Sequence, residues 1–197
     1  MQAAQLKELL LQSLEHERGG IHVYETALKC ALNADLKEEW EKYLDQTRNH
    51  ERILMSVCED LSLDPEEGSS GRQIVKQLGV ALVKAMQTAH GARNPAAAEL
   101  VACECVLLAE TKDHADWELI SKCGEHANSK QAPSLQAAAE EVEKEEDEHL
   151  YHTKGWAREL WLQSLGLKAV LPPPEERQHV TSAIGAARAE QASEKNR

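Results

Sequence analysis

The stretch EVEKEEDEHLYHTKGW, residues 141–156, decides the fold of this chain. Apolar side chains recur through it and around it at spacings of three, four and seven residues, which is the period of one face of an α-helix. Glu146 and His149 lie on that face, where burying an unpaired charge is costly. Because side chains three positions apart on a helix point the same way, a carboxylate oxygen and an imidazole nitrogen from this pair can reach one metal ion. Glu145, four residues before His149, is the competing candidate for the carboxylate.

The composition places the chain among all-α proteins. Of its 197 residues 42% are hydrophobic, which is enough for one domain with a full core. Phe is absent, aromatic residues make up only 4%, and helix formers dominate while runs of β-branched residues are missing. We therefore predict a helical domain over residues 1–170. The prolines at 172–174 then begin a tail, residues 171–197, that is either disordered or a weakly helical arm packed on a neighbour.

The net charge of −12 argues against nucleic acid and against anionic membrane surfaces as partners. The N-terminus lacks the basic and apolar segments of a signal peptide, and no apolar run approaches the ~18 residues of a membrane span. Five cysteines lie inside helical patterns without a metal-binding spacing, so we expect reduced thiols. Together these features predict a cytoplasmic protein.

Hydrophobic periodicity and turn residues predict five helices, over residues 3–33, 36–61, 72–90, 95–127 and 135–165. We expect Asp35 and Ser134 to cap the second and fifth helices, and Pro95 to open the fourth. Short turns make the first two helices one antiparallel hairpin and the last two another.

The third predicted helix has no acidic residue, so we interpret it as the connector between the hairpins. Its apolar stripe is predicted to consist of Ile74, Leu78, Leu82 or Ala81, Ala85 and Ala89. The pair Gly19-Gly20 interrupts the first helix at a cost of roughly 1 kcal/mol per glycine relative to Ala. Such a cost predicts close approach of another helix or a local kink.

Each long helix places a polar group on its otherwise apolar stripe, near the middle of the helix. These groups are Glu17, His50, Glu110, and Glu146 with His149. Because a helix rises only ~1.5 Å per residue, antiparallel packing brings groups near mid-helix to about the same level of the core. Asp113 lies at the edge of the stripe of its helix, and His114 and His152 are further candidates for ligands on the same two helices. An aromatic residue, Tyr24 or Trp117, follows the acid of each hairpin's first helix by seven positions.

In this order, the residues resemble the ferritin-like superfamily of di-metal carboxylate bundles, whose motif is Glu, then Glu-x-x-His, then Glu, then Glu-x-x-His. Glu17 and Glu110 match the two single acids, Glu146 with His149 matches the last pair, and His50 matches the histidine of the second pair. Asp113, three residues after Glu110, resembles the doubled acids of rubrerythrin-like members. The layout, with a helical crossover, also resembles small stress-associated bacterial ferritin-like proteins. The chain departs from the motif at Thr47, which stands where a bridging glutamate is expected, and Glu51, one turn on, is the candidate replacement.

The resemblance covers about residues 5–165 and implies an antiparallel four-helix bundle with an additional helix in the crossover. It implies a metal site formed by Glu17, His50, Glu110, Asp113, His114, Glu146 and His149. The expected cofactor is iron, as two ions, with manganese or zinc as the other metals that carboxylates mixed with imidazoles suit. Oxygen or peroxide would then be the reaction partner of a non-haem di-iron oxidoreductase or ferroxidase, and a homo-oligomer is compatible with this interpretation.

Two other hypotheses stay open. A ferritin-like stress or interaction protein without metal or catalysis is favoured by Thr47 in place of a ligand. A helical adaptor without any metal site requires the carboxylates of Glu17, Glu110 and Glu146 to face solvent.

Overall fold

The computed structural model describes residues 1–195, which form seven α-helices and no strand. The helices are α1 Ala3–Ala27, α2 Ala34–Asp60, α3 Ser70–Gly91, α4 Pro95–His126, α5 Ala132–Ser164, α6 Pro174–Arg177 and α7 Ala183–Lys195. The all-α prediction is confirmed. The first five helices agree with the predicted ranges within three residues at every end but one, because α1 stops at Ala27 and a turn leads from there into α2.

Local capping explains where α2 and α4 begin. Asn33, and not the predicted Asp35, caps α2, since its side chain accepts hydrogen bonds from the backbone amides at 35 and 36. Asn94 caps α4 and Pro95 follows at the first helical position, as predicted. The predicted cap at Ser134 is wrong, because α5 begins earlier and the Ser134 hydroxyl binds a carboxylate of α2 instead.

The four long helices pack in the pairs α1–α2, α2–α5, α5–α4 and α4–α1. Contacts between side chains show that the partners in these pairs run antiparallel. Along α2 and α5, for example, Lys42 binds Glu148 and Asn49 binds Glu141. Residue numbers therefore increase along one helix in the direction in which they decrease along the other. Residues near mid-helix therefore meet at one level.

Helix α3 connects the two hairpins and packs against α1 and α4. Its backbone approaches that of α1 at a pair of glycines, where a Cβ built on Gly79 would lie 3.5 Å from the Cα of Gly19. The predicted close approach at Gly19 is confirmed. The predicted apolar stripe of α3 is wrong at Ile74 and Leu78, which are more than half exposed, and at the exposed Ala85, while Val75 is buried. It is correct at Leu82 and Ala89, which pack against the core.

The apolar core of the four long helices consists of two clusters, apart from a small third cluster of the tail around Val180 and Ala189. One cluster includes Leu10 and Leu54 near the start of α1 and the end of α2, and the other includes Trp40 and Trp156 near the opposite ends of the long helices. The polar residues predicted to lie near mid-helix are found between these clusters. This division places charged groups where apolar side chains shield them from water at both ends.

The tail is not separate from the domain within the described residues, because α6 and α7 pack on α5. Glu175 is buried and binds Arg158 of α5 through both carboxylate oxygens, at 2.6 and 2.9 Å. Residues 196 and 197 of the predicted tail lie outside the described part of the chain. All five cysteines are free thiols, four of them buried, and none of the helices in residues 1–195 combines the length and apolarity of a membrane crossing.

Candidate metal centre

A layer of buried polar side chains crosses the middle of the four long helices. Each helix contributes at least one, and all are at most 4% exposed: Glu17 from α1, His50 from α2, Glu110 and Asp113 from α4, and Glu146 and His149 from α5. The adaptor hypothesis is wrong on this point, because the three glutamates on which it depends do not face solvent.

The closest group in this layer consists of Glu110, Glu146 and His149, whose potential ligand atoms all lie within 4.8 Å of one another. His149 Nδ1 is 3.2 Å from Glu110 Oε2 and 3.4 Å from Glu146 Oε1. His50 extends the group, with its Nδ1 3.0 Å from the same oxygen of Glu146 and 3.9 Å from Glu17 Oε1. Carboxylate and imidazole atoms from four helices thus approach one another inside the core.

Aromatic donors each hold one oxygen of two of these carboxylates. The Tyr24 hydroxyl donates to Glu110 Oε1 at 2.8 Å, and the Trp117 indole N–H donates to Glu17 Oε1 at 2.8 Å. These are the aromatic residues seven positions after an acid, but each binds the acid of the other helix, because α1 and α4 are antiparallel. One oxygen of each carboxylate is thereby occupied, and the other is left for a further partner.

The two histidines are oriented in the same way by polar groups outside the layer. His149 Nε2 lies 3.0 Å from Gln46 Oε1 and His50 Nε2 lies 2.8 Å from Glu145 Oε2. Since both oxygens only accept hydrogen bonds, each Nε2 carries a proton. Each ring therefore turns its Nδ1 toward the carboxylates. Metal-binding histidines are oriented in the same way, by a hydrogen bond from the ring nitrogen that does not bind the metal.

Several inward atoms have no hydrogen-bond partner within the described residues, although they are fully buried. They are Glu17 Oε2, His50 Nδ1, Glu110 Oε2, Asp113 Oδ1, both oxygens of Glu146, and His149 Nδ1. Buried polar atoms are normally paired, and leaving one unpaired costs ~1–3 kcal/mol or more. Close approach without hydrogen-bond geometry is what ligand atoms around a common cation would show.

Burial and mutual repulsion change the acidity of the carboxylates. The pKa of Glu17 is raised to about 8, because burial, with the charge of Glu146 adding to it, outweighs the opposing effect of His50. Burial also raises the pKa of Asp113 well above its usual value, with the charges of Glu17 and Glu146 adding to the effect. Burial alone would raise the pKa of Glu146 as well, but contacts with His149 and His50 outweigh it and lower the pKa to about 2.

The pKa values of the two histidines are raised, whereas burial alone lowers the pKa of an imidazole. Burial lowers the pKa of His50, but Glu145, Glu146 and Glu17 outweigh it and raise the value to about 10. Burial likewise lowers the pKa of His149, and Glu110 with Glu146 raises it to about 9. Protons thus balance the negative charge when no cation is bound, and a divalent cation would have to displace them.

The residues present fit a divalent cation. The layer offers hard carboxylate oxygens and imidazole nitrogens, which suit iron, manganese or zinc, and no thiol or thioether, which would favour copper(I). Glu110, Glu146 and His149 form a buried group able to hold a metal ion.

The structure does not bring every predicted residue into the layer. His114 is partly exposed and binds Asp147 through its Nε2 at 3.0 Å. The Glu51 carboxylate points outward to Arg18, and the Thr47 hydroxyl donates to the backbone carbonyl of Tyr43 at 2.9 Å, so neither offers a ligand atom.

His152 belongs to a second polar cluster, one turn farther along α5. Its Nδ1 lies 2.7 Å from Glu39 Oε1 and 3.0 Å from the Tyr43 hydroxyl, which itself donates to Glu39. The ring of Tyr43 in turn packs on the ring of His149, with 4.0 Å between their centroids.

Sequence analysis missed Gln46 as a functional residue and considered Glu145 only as a ligand. The antiparallel register of α2 and α5 contains the signal that identifies both. His50 faces Glu145, and a step of four residues back along α2 and four forward along α5 reaches the pair Gln46 and His149. A polar side chain of each helix thus supports a histidine of the other.

The fold and site define the class as an all-α protein with a buried carboxylate–histidine group suited to a metal ion. The chain matches no protein-family model, and neither a curated protein nor a solved structure matches it. The family interpretation drawn from the sequence therefore remains a proposal.

Proposed function

We propose that this chain is a ferritin-like protein, built as a four-helix bundle with an extra helix in the crossover, whose polar layer is a carboxylate–histidine metal site. Iron is the leading metal, with two ions at full occupancy, and manganese or zinc fits the same donors. The antiparallel pairing of α1, α2, α4 and α5 and the course of α3 support this architecture.

One observation carries the proposal: the inward polar atoms from four different helices converge within the core and lack hydrogen-bond partners in the described residues. Structural ion pairs in a core normally satisfy their remaining lone pairs with donors. Here the available donors, Tyr24 and Trp117, bind one oxygen of Glu110 and one of Glu17 and leave the other oxygen of each carboxylate free. A cation satisfies several such oxygens at once, which no single protein donor in the layer does.

Each residue has a distinct part in holding the metal. Glu146 Oε1 lies within 3.4 Å of Nδ1 of both His50 and His149, so this carboxylate can serve ions on either side of it. Glu110 and Glu17 complete the two sides, and Gln46 and Glu145 keep the imidazoles oriented. Bound iron would supply one-electron redox chemistry with oxygen or peroxide, and the flanking apolar clusters restrict the access of water.

A metal-depleted stress or interaction protein is the second candidate, and Thr47 is the observation that favours it. The Thr47 hydroxyl is committed to the carbonyl of Tyr43, so α2 contributes a histidine but no carboxylate to the layer. Metal analysis separates the two candidates, because this one predicts a stable fold that takes up no metal.

The first test counts metal per chain after anaerobic loading with ferrous iron and removal of unbound ions. We expect at least one ion per wild-type chain, and less than about a tenth of that occupancy when Glu110→Gln and Glu146→Gln are combined, because metal ligands must supply charge as well as geometry. Oxygen and peroxide are then added separately, and formation of ferric iron is followed by absorbance. Oxidation faster than that of free iron supports the redox assignment.

Glu99→Gln is the matched control for this test. Glu99 is buried on α4 like Glu110, but its carboxylate accepts the backbone amides of Leu32 and Asn33 outside the layer. The control should load fully. A folded wild-type chain that takes up no iron, manganese or zinc, or a double variant that loads like the wild type, would rule out the proposed site.

A further inference from the structure

A cavity of about 260 Å³, open to the surface, lies between α1, α3 and α4. Its walls are mainly apolar, formed among others by Val23, Val75, Leu78, Leu82, Leu108 and Ala109. A cavity of about 150 Å³ lined by aliphatic and aromatic side chains is enough to hold benzene. The space therefore admits a small ring compound, although it is not enclosed, because Leu78 and Leu108 of its walls are more than half exposed.

Three glycines are among the residues that line this cavity. Gly19 and Gly20 in the middle of α1 and Gly79 in the middle of α3 all line the cavity. Each costs its helix about 1 kcal/mol relative to Ala. Gly19 and Gly79 contact each other across α1 and α3, yet the walls beside that contact do not close.

Three polar residues line the cavity, and two of them are already paired. Glu15 binds Arg72 at 2.8 Å, and Lys112 binds Asp116 at 2.5 Å. His16 uses one ring nitrogen, because Nε2 donates to the backbone carbonyl of Ala109 at 3.0 Å. Within residues 1–195 no partner is found for His16 Nδ1, so this atom is the one polar group in the walls that remains for a ligand.

We propose that this cavity binds one small uncharged molecule that is mostly hydrocarbon and carries a single hydroxyl group, of about the size of phenol. Ligand sites are typically apolar concavities with a few polar groups that set orientation. A hydroxyl both donates and accepts hydrogen bonds, so it pairs with His16 Nδ1 whichever role that nitrogen takes. The site goes beyond the proposed function and does not depend on it, since none of the inward atoms of the polar layer takes part.

The test titrates metal-free wild-type protein with phenol and with toluene, which has the same number of heavy atoms but no hydroxyl. Methyl NMR signals of Val75, Leu82 and Leu108 should shift and saturate, with a Kd for phenol of about 1 mM or tighter, given the affinity that so few heavy atoms can supply. Phenol should bind about threefold to tenfold more tightly than toluene, because of the one added hydrogen bond.

Ala81→Phe and Ala85→Phe form a matched pair for this titration. Both alanines are exposed on α3, one turn apart, but only Ala81 lines the cavity, so a benzyl group there competes for its space. Ala81→Phe should weaken phenol binding by about tenfold or more, and Ala85→Phe should leave it unchanged. Shifts that fail to saturate, that move methyl groups elsewhere, or that respond equally to both substitutions would overturn the proposal. Because no metal is present, such a failure leaves the metal site untouched.

Discussion

At the scale of single residues, Gln46 shows how a side chain outside the polar layer controls one inside it. Gln46 Oε1 accepts the Nε2 proton of His149, which aims Nδ1 of that ring at Glu110 and Glu146. Gln46→Leu keeps the bulk but removes the acceptor, so the ring is free to turn. We expect a loss of about 10–100-fold in iron affinity, the usual effect of removing such a partner, measured by competition with a chelator of known affinity.

Asn49→Leu is the control for Gln46. Asn49 also lies half-buried on α2 and also binds a residue of α5, Glu141, but contacts neither histidine of the layer. Its replacement should leave the affinity within about twofold, as expected of a polar contact near the surface. Equal losses in the two variants would mean that general loosening of the α2–α5 contact, and not ring orientation, sets the affinity.

Periodicity predicts which residues face inward only to within one position, because neighbouring residues on a helix are ~100° apart. Periodicity correctly predicts that Glu17, His50, Glu110 and Glu146 face the core at one level. Acids on apolar stripes are costly to bury without a partner, and this cost indicates that they meet one there. The roles of Glu145 and Glu146 depend on the facing helix α2. The Nε2 atom of His50 lies 2.8 Å from Glu145, and its Nδ1 atom lies 3.0 Å from Glu146.

At the scale of elements, the two glycines of α1 differ in what surrounds them. A Cβ on Gly19 would lie 3.8 Å from Gly79 Cα, an ordinary contact, whereas one on Gly20 would lie 3.3 Å from Thr47 Cγ2. Gly19→Ala should therefore raise the free energy of unfolding by about 0.5–1 kcal/mol through helix propensity alone. Gly20→Ala should gain less or lose stability, because Thr47 must give way. Urea denaturation measures both, and a larger gain at Gly20 would contradict this account.

Helix α3 shows where sequence reasoning about elements reaches its limit. Its existence and its role as the connector follow from its pattern and the loops around it, but its buried face does not. A helix on the outside of four others buries only a narrow strip, and Val75 and Met86 occupy it while the more regular positions of Ile74 and Leu78 stay exposed. Helix ends depend in the same way on local competition, as the cap at Asn33 in place of Asp35 shows.

At the scale of the whole molecule, the polar layer ties stability to pH. Glu17, His50 and His149 each bind a proton more tightly in the folded chain, with pKa values of about 8, about 10 and about 9 against ordinary values of 4.5, 6.5 and 6.5. Burial is the first cause at Glu17, whereas at the histidines the neighbouring carboxylates outweigh burial. The stabilisation is complete below the ordinary pKa of each group and is lost as the pH rises through the pKa of the folded state.

The metal-free protein should therefore become less stable from pH 6.5 to pH 8, where all three groups contribute, by about 1.4 kcal/mol per pH unit for each extra proton held. Scanning calorimetry should show Tm falling across this range, and Glu17→Gln, which cannot titrate, should make the fall shallower. Added zinc, which has no redox chemistry, displaces the same protons and should raise Tm more at pH 8 than at pH 6.5. A Tm that is flat or rises with pH in the metal-free chain would show that these side chains do not hold their protons in the core.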